Sequence, residues 1–146
     1  MRAIFTASLF FFSVPTLAGT IGPLFERAVM LHESHGNDDA VGDRHLPKGQ
    51  WAYGCFQVRQ VCLDDVNRRY GTHFRASDCL GNRALSLWIF RSYLKLYATR
   101  SRLGHVPTNE DMARIWNGGP DGWKHKSTRQ YWRKVCQILR ALARGH

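Results

Sequence analysis

A mainly helical domain with a small irregular or β-containing lobe beside it is the fold the sequence predicts. Two observations predict it. Apolar residues recur at helical spacing in several separate segments, and a turn-rich stretch interrupts them early. The chain has 146 residues, 44% of them hydrophobic, which suits one core and is short for two.

The elements follow in order. Residues 1–18 read as an export signal: Arg2 precedes the apolar run "AIFTASLFFFSVPTLA", which ends with Thr16 and Ala18 placed as at a cleavage site. A domain over residues 19–146, secreted or periplasmic, is expected. Pro23 to about Glu33 reads as a helix on which Phe25, Val29 and Glu33 form a single row. The Glu33 carboxyl therefore emerges in line with apolar side chains. Residues 36–54, rich in glycine and aspartate, read as irregular structure or a small hairpin. A helix over Gln57 to Arg69, closed by Gly71, comes next. Asn82 to about Tyr97 is apolar nearly all round and is expected to be the buried central helix. Thr108 caps a short helix with Asp111 at its third position, and "NGGPDG" ends it. Ser127 or Thr128 caps a last helix with the core stripe Tyr131, Val135, Ile138 and Leu142.

Lys plus Arg number 21 against 11 for Asp plus Glu, a net charge of +10. With export expected, that balance points to an anionic wall or membrane surface and away from nucleic acid. Arg129, Arg133, Arg140 and Arg144 recur on the last helix opposite its apolar stripe, so this helix is the expected contact. No oligomer signal stands out, and a monomer is expected.

Four cysteines, Cys55, Cys62, Cys79 and Cys136, suggest two disulfides in an exported chain, with three pairings open. A separation of 17 positions favours Cys62–Cys79 as a local staple, leaving Cys55 with Cys136. Zinc is disfavoured because no Cys-x-x-Cys pair occurs. "HESH" at 32–35 sets its histidines three apart, where a zinc-protease helix needs four. No cofactor and no metal are implied.

Acid catalysis suits Glu33 better. A carboxyl deprived of hydration keeps its proton to higher pH and can pass it to a leaving oxygen. Three motifs then occur in order: "ES" at 33–34, "YGCFQV" at 53–58 and "IWNGG" at 115–119. Over roughly residues 22–135 the chain resembles the lysozyme-like superfamily, and most closely the SLT-type lytic transglycosylases and related muramidases. The third motif departs, with Ile115-Trp116 for the usual Ala-Tyr. The resemblance implies an α+β lysozyme-like fold, with the small lobe flanking a cleft. It implies cleavage of the MurNAc–GlcNAc β-1,4 bond of peptidoglycan strands, with Glu33 as general acid/base. By the same resemblance Ser34, Tyr53, Gly54, Phe56, Gln57, Trp116 and Asn117 bind substrate. Gly54, Phe56 and Gln57 would build the cleft wall, with the Gln57 amide offered to the sugar.

A hydrolase of the usual kind needs a second carboxylate. Animal-type lysozymes place an aspartate where this chain has Ala52, which leaves Asp43 as the candidate, with Asp39 more readily a turn residue. Lytic transglycosylases need no second carboxylate, since the substrate's own groups complete the reaction and leave a 1,6-anhydro end. That outcome is the preferred expectation, with hydrolysis assisted by Asp43 second. A cationic, membrane-active antimicrobial protein in which Glu33 is incidental is the rival outside enzymology.

Overall fold

The computed structural model describes residues 21–145, so the expected export signal lies outside the described residues. Helix α1 spans Pro23–Ser34. A three-stranded antiparallel sheet follows, from β1 (Val41–Gly42), β2 (Ala52–Tyr53) and β3 (Val58–Arg59), in that order. Then come α2 (Gln60–Tyr70), α3 (Arg83–Tyr97), the short α4 (Arg100–Leu103), α5 (Asn109–Gly118) and α6 (Arg129–Arg144). The expected class, mainly helical with a small β lobe, is the one observed.

Apolar periodicity accounts for the helices. Phe25, Ala28 and Val29 of α1 are buried, as are Ile89, Phe90, Tyr93 and Leu94 of α3. Phe90 is the hub: it stacks on Phe56 at 4.6 Å, tilts against Phe25 at 6.1 Å and meets Trp116 edge-on at 4.9 Å. Such offset and edge contacts add to the area these rings bury. An ion pair ties α1 to α3 beside this cluster, with Arg91 Nε donating to Glu26 Oε1 at 2.6 Å and Nη2 to Oε2 at 2.8 Å. Helix α6 lies along α1, with Tyr131 and Val135 buried between them and Ile138 and Leu142 half-buried.

Several expectations need correction. The helix α3 is amphipathic rather than buried all round: Arg91 and Lys95 are exposed, and Leu85, Leu87, Trp88 and Leu96 are half-buried. Asn82 is its cap, accepting from Leu85 N–H at 3.0 Å. The helix expected from Gln57 begins at Gln60, because Gln57 takes a positive φ of 53° and Val58 pairs with Tyr53. Thr128 precedes α6 but makes no side-chain cap. Its buried hydroxyl instead shares its one proton between Gly122 O and His125 O, both at 2.8 Å, and accepts from Arg114 Nε at 3.0 Å. Thr108 does cap α5, in a reciprocal box with Asp111.

The cysteines are the largest correction. Cys55, Cys62, Cys79 and Cys136 are all free thiols in the structure, so neither expected bridge is present. The polar neighbours of the buried Cys55 thiol are Asp38, Arg83 and Ser86, none of them on α6, and burial pushes the thiol up to about 11. Burial likewise raises Cys62, with the nearby Asp65 and then Cys79 adding to it. A bridge needs Cα atoms about 4.4–6.8 Å apart and correctly aimed Cβ vectors, a demand that sequence spacing alone does not test.

Candidate active site

Glu33 sits in the last turn of α1, where the chain must leave the helix abruptly. His35 ends it in the left-handed region at φ 55°, its N–H bonded to Leu31 O, and Gly36 follows at φ 80°. Ser34 fixes this end against the small lobe, its hydroxyl donating to Cys55 O at 2.8 Å. The helix end and the Gly54–Gln57 turn are thereby held together. Gly54 is obligatory in that turn: φ is +74°, and a Cβ there would lie 2.6 Å from Cys79 O and 2.7 Å from Ser86 Oγ.

A cleft opens over Glu33, walled by Gln57 and Arg59 from the lobe and by Trp116, Asn117 and Pro120 from the end of α5 and beyond. The Tyr131 hydroxyl donates to Glu33 Oε1 at 2.6 Å, across 98 positions of sequence. Burial raises the Glu33 pKa from 4.5 to about 7, against the opposing pull of Tyr131, Trp116 and the Arg59 charge. The negative charge of Asp43 adds to the rise. Desolvation wins because few charges offset it, and the carboxyl is poised to exchange its proton near neutrality.

Asp43 lies just beyond β1, where Gly42 pairs with Ala52. The register thus brings Asp43 within one residue of the strand position facing Ala52, the place where the animal-type aspartate is missing. Its backbone is left-handed at φ 58°. Arg59 holds its carboxylate, with Nε and Nη2 donating to Oδ2 at 3.0 and 2.6 Å. Asp39 is exposed, and its backbone N–H bonds Asn37 Oδ1 at 3.0 Å, as suits a turn.

Of the expected binding residues, Gln57, Trp116 and Asn117 line the cleft with Glu33. The Gln57 amide, however, is turned to the backbone, donating to Gly54 O at 2.9 Å and Ala40 O at 3.4 Å. Gly42 leaves room for it, since a Cβ there would collide with Gln57 Oε1. Phe56 and Gly54 do not wall the cleft. Phe56 is 2% exposed under Phe90, and Gly54 is buried against Cys79 and Ser86. Ser34 clamps the turn, and Tyr53 faces a separate pocket.

Tyr131 belongs by its spacing to the core stripe of the last helix, and Arg59 carries no functional mark in the sequence. A hydroxyl at one end of an otherwise apolar stripe was the available signal for the first. The second had none, because its partner Asp43 is 16 positions away. Tyr131→Phe keeps the packing but removes the donor, and with it a bond to a charged group worth about 1.5–3 kcal/mol. The Glu33 pKa is expected to rise further, by about one to two pH units, as read by carboxyl-carbon NMR titration.

The geometry defines a class: this is a lysozyme-like fold with a recessed carboxyl, Glu33, at its cleft. Particular proteins share it. The chain is 38% identical over 94 residues to a lysozyme of Magallana gigas, covering 64% of each protein. It is 34% identical over 82 residues to Lysozyme 1 of Crassostrea virginica, covering 42% of that protein, and 27% identical over 135 residues to an Ostrea edulis lysozyme. The aligned part thus spans less than two thirds of the first two relatives. Among solved structures, Meretrix lusoria lysozyme in complex with Aeromonas hydrophila PliI superposes with a TM-score of 0.67 at 24% identity, covering 82% of this chain and 92% of that one. Tapes japonica lysozyme does so with 0.64 at 25%, covering 80% and 89%. No family model matches the chain. The relatives are lysozymes of bivalves, so the expected closeness to SLT-type transglycosylases gives way to a likeness to these.

Proposed function

We propose that the protein is an exported muramidase that cuts the MurNAc–GlcNAc β-1,4 bond of peptidoglycan, with Glu33 as general acid. One observation carries this reading: a carboxyl at a cleft floor whose pKa is raised to about 7, held by the Tyr131 hydroxyl. The neutral acid donates its proton to the leaving glycosidic oxygen, and the resulting carboxylate is stabilised by Tyr131 until it is reprotonated. Likeness to named lysozymes supports the same substrate class.

For the second half of the reaction we favour hydrolysis, with Asp43 as the second carboxylate. Its charge reaches Glu33, and Arg59 keeps it oriented. Those observations, with the names of the relatives, support hydrolysis over the anhydro product that the transglycosylase resemblance implies. A mass spectrum of fragments released from purified peptidoglycan tests the choice. Reducing-end MurNAc is expected, and Asp43→Asn should slow its release about a hundredfold, the low end of general acid–base effects. Anhydro ends, lighter by one water and insensitive to Asp43→Asn, would instead support transglycosylation.

The exposed arginines of α6 support retention on an anionic wall. Arg129, Arg133, Arg140 and Arg144 have no ion-pair partner among the described residues. Binding to whole walls should weaken as salt rises above about 0.15 M, where charges more than about 8 Å apart are screened. A cosedimentation series checks this.

A further inference from the structure

A second pocket lies on the far side of the β3–α2 junction. Arg59 lines the catalytic cleft, and the next residue, Gln60, lines this pocket together with Lys48, Trp51, Tyr53, Arg75 and Ser77. Its walls are fixed from behind. Trp51 Nε1 donates to Leu46 O at 2.8 Å, which orients the indole. Gln60 is spent on both ends, Oε1 accepting from Ala76 N–H and Nε2 donating to Asp64 Oδ1, each at 2.8 Å. Asp78 is occupied in turn by the Arg75 backbone N–H at 2.8 Å.

What remains free is cationic and aromatic. Among the described residues neither Lys48 nor the Arg75 guanidinium has an ion-pair partner, and the Tyr53 and Ser77 hydroxyls have no hydrogen-bond partner. Two unpaired cations beside two hydroxyls and an oriented aromatic face select an anion joined to apolar matter, not a neutral sugar. We propose that this pocket binds the carboxylate-bearing stem peptide of peptidoglycan, while the glycan to which that peptide is attached lies in the catalytic cleft. The inference rests on the muramidase reading for the identity of the polymer. A four-residue peptide spans up to about 14 Å, and consecutive residues, Arg59 and Gln60, line the two sites.

The test compares the same glycan with and without its peptides. Lys48→Gln combined with Arg75→Gln alters two exposed side chains, and circular dichroism confirms folding. On peptide-bearing peptidoglycan, kcat/KM is expected to fall about tenfold, the scale of one lost charge-assisted bond. On amidase-stripped glycan strands it should not change. In parallel, a soluble stem tetrapeptide should shift the Trp51 indole N–H resonance in wild type and in Glu33→Gln but not in the double variant. Equal loss on both substrates, or no loss on either, overturns the proposal. Inorganic phosphate shifting the same resonance at equal concentration also overturns it, in favour of a phosphate-bearing wall polymer. If wild type cleaves neither substrate, the muramidase reading fails, and the titration still decides whether the pocket takes the peptide.

Discussion

Glu33→Gln is expected to lose wall-cleaving activity by about 10²–10⁴-fold while making the protein more stable above neutral pH. The amide cannot donate and recover a proton, so chemistry stops, yet its oxygen can still accept from Tyr131. The stability change follows from the raised pKa. Folding lifts the Glu33 pKa from 4.5 to about 7, so the folded state holds the proton more tightly than the unfolded chain does. Its contribution to stability is full below about pH 4.5, falls as pH rises through the interval, and is gone above about 7. Relative to the variant, wild type is then destabilised by at most about 3.5 kcal/mol, at about 1.4 kcal/mol for each tenfold change in proton affinity. Thermal melts at pH 4 and pH 8 check this: the two proteins should coincide at the lower pH, with the variant melting several degrees higher at the other. A variant that still kills or lyses bacteria would instead favour the cationic membrane-active reading.

Gly54→Ala is expected to cost more than any other change of a single methyl group at the site. The left-handed backbone at φ +74° penalises any Cβ by about 1–2 kcal/mol. The added atom would also press on Cys79 O and Ser86 Oγ, for typically another 1–3 kcal/mol. A fall in melting temperature on the order of 10 °C should result. Because Gly54 N–H also bonds Ala40 O at 2.9 Å, the shift would propagate to the strand leading to Asp43. Activity should therefore drop in the surviving folded fraction, as measured by kcat below the melting range.

Helix positions were legible in the sequence because periodic burial writes itself into residue type: Phe25, Val29 and Glu33 share one face in both readings. Glu33 itself was legible as a carboxyl in an apolar row, and the Thr108–Asp111 box as a cap. The remainder depends on what long-range packing brings together. Asp43 and Arg59 meet only because β1 pairs with β2 and β2 with β3, and strands of two residues leave almost no alternation to read. Phe56 looked like a wall residue from its motif, but its ring fills the space beneath Phe90. The cysteine count suggested bridges where the structure has thiols, since counting carries no information on Cβ direction.

The bond from Tyr131 to Glu33 joins the first helix to the last. Synthesis completes α1 long before α6, so the nascent chain carries the Glu33 carboxyl without the hydroxyl that steadies it. Closing so long a loop is among the more entropically demanding steps available to a chain of this size. The contact thus forms only when the two ends of the fold meet, and the Glu33 titration becomes a reporter for docking of the C-terminal helix.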